Sequence, residues 1–302
     1  MARAGGIIPS MLCRLCSAEA APFGSTIVLR RLNVEYFECP VCGLVQTENP
    51  YWLDDAYSDP IARTDTGIVS RNLDLIRKTQ LVIRAFFNPS GRFIDYGAGT
   101  GLLVRAMRDA GYDFRYFDPH ATNVFARGFE AENVAAAEGP KVPAGAELVS
   151  TRGSSVQVST AAPNIPAYDL LTAFEVFEHL TAPMQGVADM LTRSRNILFT
   201  TELLPPHKPK PGDWWYYTLE TGQHVSIYNR RTLEFIAQRA GLHLASYRSI
   251  HLVSQNPVAP WRFRLVLKSR LAQFALCKRA PRPPAGRHAL PQGGRPDYDP
   301  TK

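Results

Sequence analysis

Short apolar runs alternate with longer amphipathic segments along most of the chain after residue 91. This order is typical of βαβ units, in which helices cover both faces of a mainly parallel sheet. The predicted strands are 93–95, 114–117, 147–150, 169–174, 196–201 and 242–247, and the predicted helices are 100–110 and 230–240. The pattern therefore predicts a doubly wound α/β domain.

The chain before this domain has a different pattern. Two strand-like runs, 26–32 and 33–38, lie between pairs of cysteines, and from 70 to 87 apolar residues recur at helical spacing. We therefore divide the chain into a cysteine-rich unit (1–50), a helical bridge (51–90), the α/β domain (91–256), a basic amphipathic segment (257–277) and a basic tail (278–302).

The basic amphipathic segment fits two structures. Phe263, Leu267, Leu271 and Phe274 suit a helix, whereas the alternation that starts at Phe263 also suits a strand. We favour a helix that packs on the domain over one that lies on a membrane surface.

Charge is concentrated at the end of the chain. The net charge is +7, and residues 278–302 contribute six basic and two acidic side chains, or +4, which leaves +3 for the rest. With six prolines and few large apolar residues, this tail is predicted to be disordered. No stretch reaches the roughly 20 apolar residues of a membrane-spanning helix, and no secretory signal precedes the domain, so we expect a cytoplasmic protein without stable membrane insertion.

The most informative segment is Asp95-Tyr96-Gly97-Ala98-Gly99-Thr100-Gly101, between a predicted strand and a predicted helix. Glycines there permit a tight turn and a close approach of a ligand to the backbone. Leu102 occupies the place of the last glycine in the dinucleotide fingerprint, and the chain has no phosphate-binding P-loop sequence.

The order D-x-G-x-G-x-G resembles the first motif of class I S-adenosylmethionine-dependent methyltransferases. The resemblance implies a seven-stranded Rossmann-like fold, with S-adenosyl-L-methionine as cofactor. It also implies that this loop holds the methionine portion and the ribose, through Asp95, Tyr96, Gly97, Ala98, Gly99 and Gly101.

Asp118-Pro119 ends the next predicted strand, 19 positions after Gly99. A carboxylate at this offset can accept hydrogen bonds from both ribose hydroxyls. The alternative is a strand-terminating turn, since Asp-Pro is common in turns. Next to the glycine loop, we favour ribose binding.

The run that ends at Phe174 is followed by Glu175-Val176-Phe177-Glu178-His179. Its E-x-x-E-H string resembles the segment after strand four of small-molecule methyltransferases, so Phe174 and Glu175 are assigned to the cofactor site. His179 would act as a base oriented by Glu178, or would only cap a helix. His224, before the last large helix, is an equal candidate for the base.

An aromatic insertion, Trp214-Trp215-Tyr216-Tyr217, precedes His224. Packing is the common use of such residues, and a lid that excludes water from the acceptor is the alternative.

Two C-x-x-C pairs, Cys13/Cys16 and Cys39/Cys42, are separated by 22 residues. Four thiolates at this spacing predict a zinc ribbon with a structural Zn²⁺ ion. Between residues 11 and 48 the ribbon carries three arginines and four glutamates, so it has no basic face. This charge balance disfavours nucleic acid as a partner.

A ribbon before D-x-G-x-G-x-G resembles bacterial methyltransferases of nucleotide-linked sugars. The leading hypothesis is therefore methyl transfer to oxygen or carbon of a small molecule, such as a sugar or glycan precursor. The rival is a noncatalytic methyltransferase-like protein that binds a partner through the ribbon. The sequence leaves the oligomeric state open.

Overall fold

The computed structural model describes residues 11–57, 66–131 and 167–268, which form two sheets and six α-helices. The strands of the N-terminal half are β1 (Met11–Leu12), β2 (Glu19–Val28), β3 (Leu32–Glu38), β4 (Val45–Thr47), β5 (Arg92–Tyr96) and β6 (Asp113–Phe117). The later strands are β7 (Leu170–Ala173), β8 (Ile197–Thr200), β9 (Ser226–Ile227), β10 (His243–Tyr247) and β11 (Ile250–Ser254). The helices are α1 (Leu53–Ala56), α2 (Ile68–Phe86), α3 (Leu102–Asp109), α4 (Pro183–Arg193), α5 (Arg230–Arg239) and α6 (Pro260–Lys268).

The larger sheet has the strand order β10-β11-β8-β7-β5-β6. β5 pairs in parallel with β6 and β7, and β7 pairs in parallel with β8, whereas β11 is antiparallel to both of its neighbours. The prediction of an α/β fold built on parallel strands is thus confirmed. Six strands belong to this sheet in the described residues, and the predicted strand at 147–150 lies outside them, so the count of seven stays a prediction.

Helices cover both faces of this sheet, as expected for a doubly wound fold. On one face, α2, α3 and α6 bury Ile83, Val104 and Phe263 against the sheet. On the other face, α4 and α5 bury Met190 and Ile236. The near-continuous burial of β7 and β8 fits strands that are covered on both sides.

The smaller sheet has the order β1-β2-β3-β4-β9 and combines two distant parts of the chain. Its first four strands belong to the cysteine-rich unit, and β9 adds to β4 through the pairs Val45↔Ile227 and Gln46↔Ser226. A core that includes Trp52 lies beneath this sheet. The pairing therefore fixes the segment around residue 226 relative to the N-terminus.

The C-terminal helix α6 agrees with the helix that the sequence favours. Phe263, Val266 and Leu267 are buried, so this helix packs on the domain. Leu271, Phe274 and the predicted tail lie outside the described residues. Within the described part of the chain, no helix has the length and apolar character needed to cross a membrane.

Candidate active site

The glycine loop joins β5 to α3 and has the backbone that its sequence requires. Gly97, Gly99 and Gly101 have φ angles of +70°, +54° and +83°. Residues with a Cβ atom rarely adopt this backbone conformation. A Cβ atom on Gly97 would lie 2.6 Å from the Cγ2 atom of Val176, whereas one on Gly99 would meet nothing within 4 Å. The loop is thus packed at its start and open at its middle.

An open cleft of about 660 Å³ lies beside this loop, at the carboxyl ends of β5 and β7. This is the edge at which open α/β sheets bind ligands. Eight residues assigned from the sequence line the cleft: Asp95, Gly97, Ala98, Gly99, Phe174, Glu175, His179 and His224. Tyr96, Gly101, Asp118, Pro119 and Glu178 are not part of its lining.

Asp118 binds the glycine loop itself. Its Oδ2 atom accepts a hydrogen bond of 2.8 Å from the amide of Gly99, and its Oδ1 atom accepts from the amides of His120 and Ala121. An ionised carboxylate has about four acceptor positions, so these three bonds leave acceptor capacity. Asp118 therefore shapes the loop, and its predicted contact with the ribose remains a prediction.

Asp95 and Tyr96 turn to opposite sides at the end of β5. The Asp95 carboxylate is buried and accepts a 2.6 Å hydrogen bond from the hydroxyl of Thr172. Burial raises the pKa of Asp95 to about 7, against the effect of that bond. The Tyr96 hydroxyl donates to the Oδ2 atom of Asp189 on α4, so this side chain packs between β5 and a helix.

Glu175 is held by residues of two elements. Its φ angle is +55°, its Oε1 atom accepts a 2.8 Å hydrogen bond from the hydroxyl of Thr200, and its Oε2 atom lies 3.9 Å from the guanidinium of Arg71. A non-glycine residue in this backbone region is strained and is often found at functional sites. Its carboxylate is thus fixed at the wall of the cleft.

Glu178, His179 and His224 come together at one end of the cleft, with one potential ligand atom of each within 4.8 Å of the other two. The two imidazole centroids lie 5.0 Å apart. Burial raises the pKa of Glu178 to about 8 and lowers the pKa of His179 to about 4 and that of His224 to about 3. Both histidines are therefore neutral bases at pH 7.

Sequence reasoning missed several polar residues of this site. The Tyr57 hydroxyl lies 3.0 Å from Nδ1 of His179, and the backbone carbonyl of Gln223 lies 3.1 Å from the same atom. Arg71 and Asn72 line the cleft from the first turns of α2. The apolar spacing of residues 70–87 predicts a helix, and the E-x-x-E-H string predicts a site motif, but neither pattern indicates that the two meet. Only the fold shows that α2 faces the motif.

The aromatic insertion is mainly structural. Tyr216 and Tyr217 are buried in the core under the smaller sheet, whereas Trp215 is 71% exposed and lines the cleft. The backbone carbonyl of Tyr216 lies 2.6 Å from Nδ1 of His224. The insertion therefore positions His224, and only Trp215 has the exposure of a side chain that covers a site.

The four cysteines of the N-terminal pairs form one cluster. The Sγ atoms of Cys13 and Cys42 lie 3.5 Å apart and those of Cys16 and Cys39 lie 3.4 Å apart, and all four lie within 4.8 Å of one another. None of these four forms a disulfide. Sulfurs about 2.3 Å from a tetrahedral zinc ion are about 3.8 Å apart, so the cluster fits such an ion.

The fold and the site define a class: an α/β protein with a glycine-loop cleft at the carboxyl edge of its sheet. The methyltransferase domain family matches residues 70–247, which is more than half of the chain. The chain belongs to this family, as the sequence resemblance predicted. No curated protein matches the chain.

Three similar solved structures are methyltransferases. Human N-acetylserotonin methyltransferase in complex with SAM is 15% identical over 68% of this chain and 66% of its own, with a TM-score of 0.36. CalO1, a methyltransferase of calicheamicin biosynthesis in an SAH-bound form, is 12% identical over 68% and 60%, with a TM-score of 0.36. A family 2 O-methyltransferase from Planctomyces limnophilus, in complex with apigenin, is 14% identical over 66% and 63%, with a TM-score of 0.37. This chain thus covers less than two thirds of each of these proteins, and the family assignment rests on the domain match.

Proposed function

We propose that this protein transfers a methyl group from S-adenosylmethionine to a small molecule. The observation that carries the proposal is the loop of three positive-φ glycines, open at Gly99, that borders a cleft at the carboxyl edge of the sheet. Asp118 holds the loop in this shape from the end of β6. A sulfonium nucleoside would lie against the loop, with its ribose near Asp118 and its methionine portion near Asp95.

Methyl transfer would then proceed by in-line displacement. The bond between the methyl carbon and sulfur breaks and its electron pair stays on sulfur, while an acceptor atom forms a new bond to the methyl carbon. The proton of an acceptor hydroxyl would pass to a neutral imidazole, His179 or His224, with Glu178 beside them. Most of the rate would come from alignment of acceptor and methyl group.

A sugar or glycan precursor, free or linked to a nucleotide, is our proposal for the acceptor. The cleft is of the size of small-molecule sites, about 300–1,000 Å³, and its far end carries polar groups that suit hydroxyls. These groups are Arg71, Asn72, Glu175, Gln223 and His224. Either oxygen or carbon of such a molecule would be methylated.

The cysteine cluster is proposed to hold a structural zinc ion. The four sulfurs have the separations of a tetrahedral set and supply all four ligands, so the ion would have no position for a substrate. The ion would have a structural role, because it would stabilise the turns that carry the cysteines.

Titration calorimetry with S-adenosylmethionine tests the donor site. Asp118→Ala should weaken binding about tenfold or more, because it removes an acceptor for the ribose and the anchor of the Gly99 amide. Asp109→Ala, which removes an exposed carboxylate on α3, should leave the affinity unchanged. Equal affinities for Asp118→Ala and the wild type would refute the ribose assignment.

A transfer assay distinguishes methyl transfer from the rival function, that of a noncatalytic protein that binds a partner through the ribbon. Incubation with deuteromethyl-labelled cofactor and a panel of sugar nucleotides should yield a product heavier by the labelled methyl group, as measured by mass spectrometry. Failure of the wild type to bind the cofactor at all would favour the rival.

A further inference from the structure

Three side chains of residue types that bind metals come together at one end of the cleft, apart from the cysteine cluster. Glu178 and His179 belong to the 3-10 turn after β7, and His224 comes from the segment that leads into β9. The turn and that segment are tied together, since the amide of Val225 donates to the carbonyl of Glu178. The three side chains are therefore held as a group by the fold.

Each imidazole is fixed in one orientation by a backbone carbonyl. The carbonyl of Tyr216 lies 2.6 Å from Nδ1 of His224, and that of Gln223 lies 3.1 Å from Nδ1 of His179. A carbonyl only accepts, so the Nδ1 atom of His224 carries the hydrogen and its Nε2 atom keeps its lone pair. The Nδ1 atom of His179 faces both the Gln223 carbonyl and the Tyr57 hydroxyl, which can donate or accept. Metal-binding histidines are commonly oriented in this way.

The carboxyl group of Glu178 lacks the partners that a buried polar group needs. The residue is fully buried, and neither Oε1 nor Oε2 has a hydrogen-bond partner in the described part of the chain. The Nε atom of Arg71 lies 3.9 Å from the Oε2 atom of a neighbouring acid, Glu175. Such orphaned groups are rare in native proteins, and a bound ion is one explanation for them.

We propose that Glu178, His179 and His224 bind a divalent first-row metal ion, such as Mn²⁺, Fe²⁺, Co²⁺ or Zn²⁺. Two imidazoles and one carboxylate on one side of an ion leave open positions on the other, a set that such ions accept. His179 and His224 line the cleft, so the open positions would face the acceptor.

The catalytic consequence rests on the proposed function. An acceptor hydroxyl that coordinates the ion has a lowered pKa and releases its proton to solvent water. The resulting alkoxide oxygen attacks the methyl carbon as the carbon–sulfur bond breaks towards sulfur. The two histidines would then be ligands rather than bases, and the acceptor would be an oxygen nucleophile.

The test is metal binding by the full chain with its cysteine site loaded with zinc. Mn²⁺ and Co²⁺ are titrated separately and followed by calorimetry, because Mn²⁺ prefers nitrogen and oxygen ligands over thiolates. We expect one ion per chain, and at least tenfold weaker binding in Glu178→Gln and in His224→Ala. His243→Ala, a histidine exposed on β10, should bind the ions like the wild type.

S-adenosylmethionine affinity and the thermal midpoint of each variant are measured in parallel. Both should stay close to the wild type, which shows that the variants fold and keep the donor site. Failure of the wild type to bind either ion, or equal binding by the wild type and both ligand variants, would overturn the metal site. If the wild type does not bind S-adenosylmethionine, the proposed function is refuted, and the result on metal binding is unaffected.

Discussion

The carboxyl group of Asp95 is buried at the base of the cleft, where solvent contributes little to its ionised form. Within the described part of the chain its one hydrogen bond comes from Thr172, and the charge of Asp118 opposes ionisation further. Burial is the dominant cause of its raised pKa. A carboxyl poised near neutral pH makes stability depend on pH.

The expected dependence has a definite sign. The pKa of Asp95 rises from 3.8 to about 7 on folding, so the folded state binds more protons between these values. The contribution of Asp95 to the free energy of unfolding of the cofactor-free protein should therefore fall as pH rises from about 4 to about 7, by at most about 1.4 kcal/mol per pH unit, and then level off. The buried histidines, whose pKa values are lowered, contribute with the opposite sign.

Urea denaturation of the wild type and Asp95→Asn at a series of pH values measures this contribution. Because Glu178, His179 and His224 titrate in both proteins, their effects cancel in the difference between them. The free energy of unfolding of the wild type minus that of Asp95→Asn should decrease steadily from pH 4 to 7. A difference that is constant with pH would show that Asp95 titrates normally.

Gly97 and Gly128 provide a matched pair for the glycine loop. Both have positive φ angles, +70° and +82°, but a Cβ atom would contact Val176 only at Gly97. Gly128→Ala should cost about 1–2 kcal/mol from backbone strain. Gly97→Ala should cost about 1–3 kcal/mol more, because the added methyl group overlaps a stiff side chain.

The free energy of unfolding of the two variants, from chemical denaturation, checks this difference. Gly97→Ala should also weaken cofactor binding, since the loop must shift to relieve the overlap. Equal losses of stability would mean that the loop has room at its first glycine.

At the scale of elements, helix α5 begins at a junction with the cysteine unit. The Asn229 side chain accepts from the amide of Thr232 in a capping box and donates to the carbonyl of Gly43. The Thr232 hydroxyl donates to the carbonyl of Cys42. The start of α5 is therefore bound to the second cysteine turn.

Asn229→Ala should lower the free energy of unfolding by about 1–2 kcal/mol, because it removes the cap together with the bond to Gly43. Arg230→Ala, at the next position, breaks only an exposed ion pair with Glu234 and should change stability by less than about 0.5 kcal/mol. Thermal and urea denaturation of both variants give the comparison. A similar, small effect of the two substitutions would show that the cap adds little.

Secondary structure was predicted well where each element carries its own pattern. The helices from 68 and from 230 and the strands from 92 and from 113 begin within two residues of their predicted starts. The sequence did not predict β1, β4, β9, β11 or α4, and the predicted run 26–32 crosses the turn between β2 and β3. The Ile250–Ser254 strand is buried throughout and shows no alternation, and Ser226–Ile227 is a strand only because β4 lies beside it.

At the scale of the whole molecule, the cysteine cluster and the cleft are linked through β9. β4 follows the second cysteine pair and pairs with β9, which lies two residues after His224. Loss of the cluster should therefore disturb the smaller sheet and the position of His224.

Cys16→Ser should lower the zinc content of the purified protein by one ion per chain and lower its thermal midpoint, because one of four ligands is lost. Cys277→Ser, which changes the cysteine outside the two pairs, should keep the zinc content of the wild type. Metal analysis by atomic absorption and thermal denaturation check both results. Full zinc content in Cys16→Ser would refute a four-cysteine site.

The sequence by itself determined the local features of this protein. The glycine spacing after Asp95 predicts a tight, open turn, and the cysteine spacing predicts two turns that present sulfurs. The alternation of strand and helix patterns predicts the parallel sheet. These features depend on residues close together in the chain, so their physical cause is visible without the fold.

Only the tertiary structure decided which distant residues meet. His179 and His224 are 45 positions apart, and their rings lie 5.0 Å from each other because β9 leaves the α/β domain to pair with β4. Arg71 reaches Glu175 because α2 covers the end of the sheet where β7 stops. Such contacts follow from the packing of whole elements, which local periodicity does not encode, and they make the cleft a site.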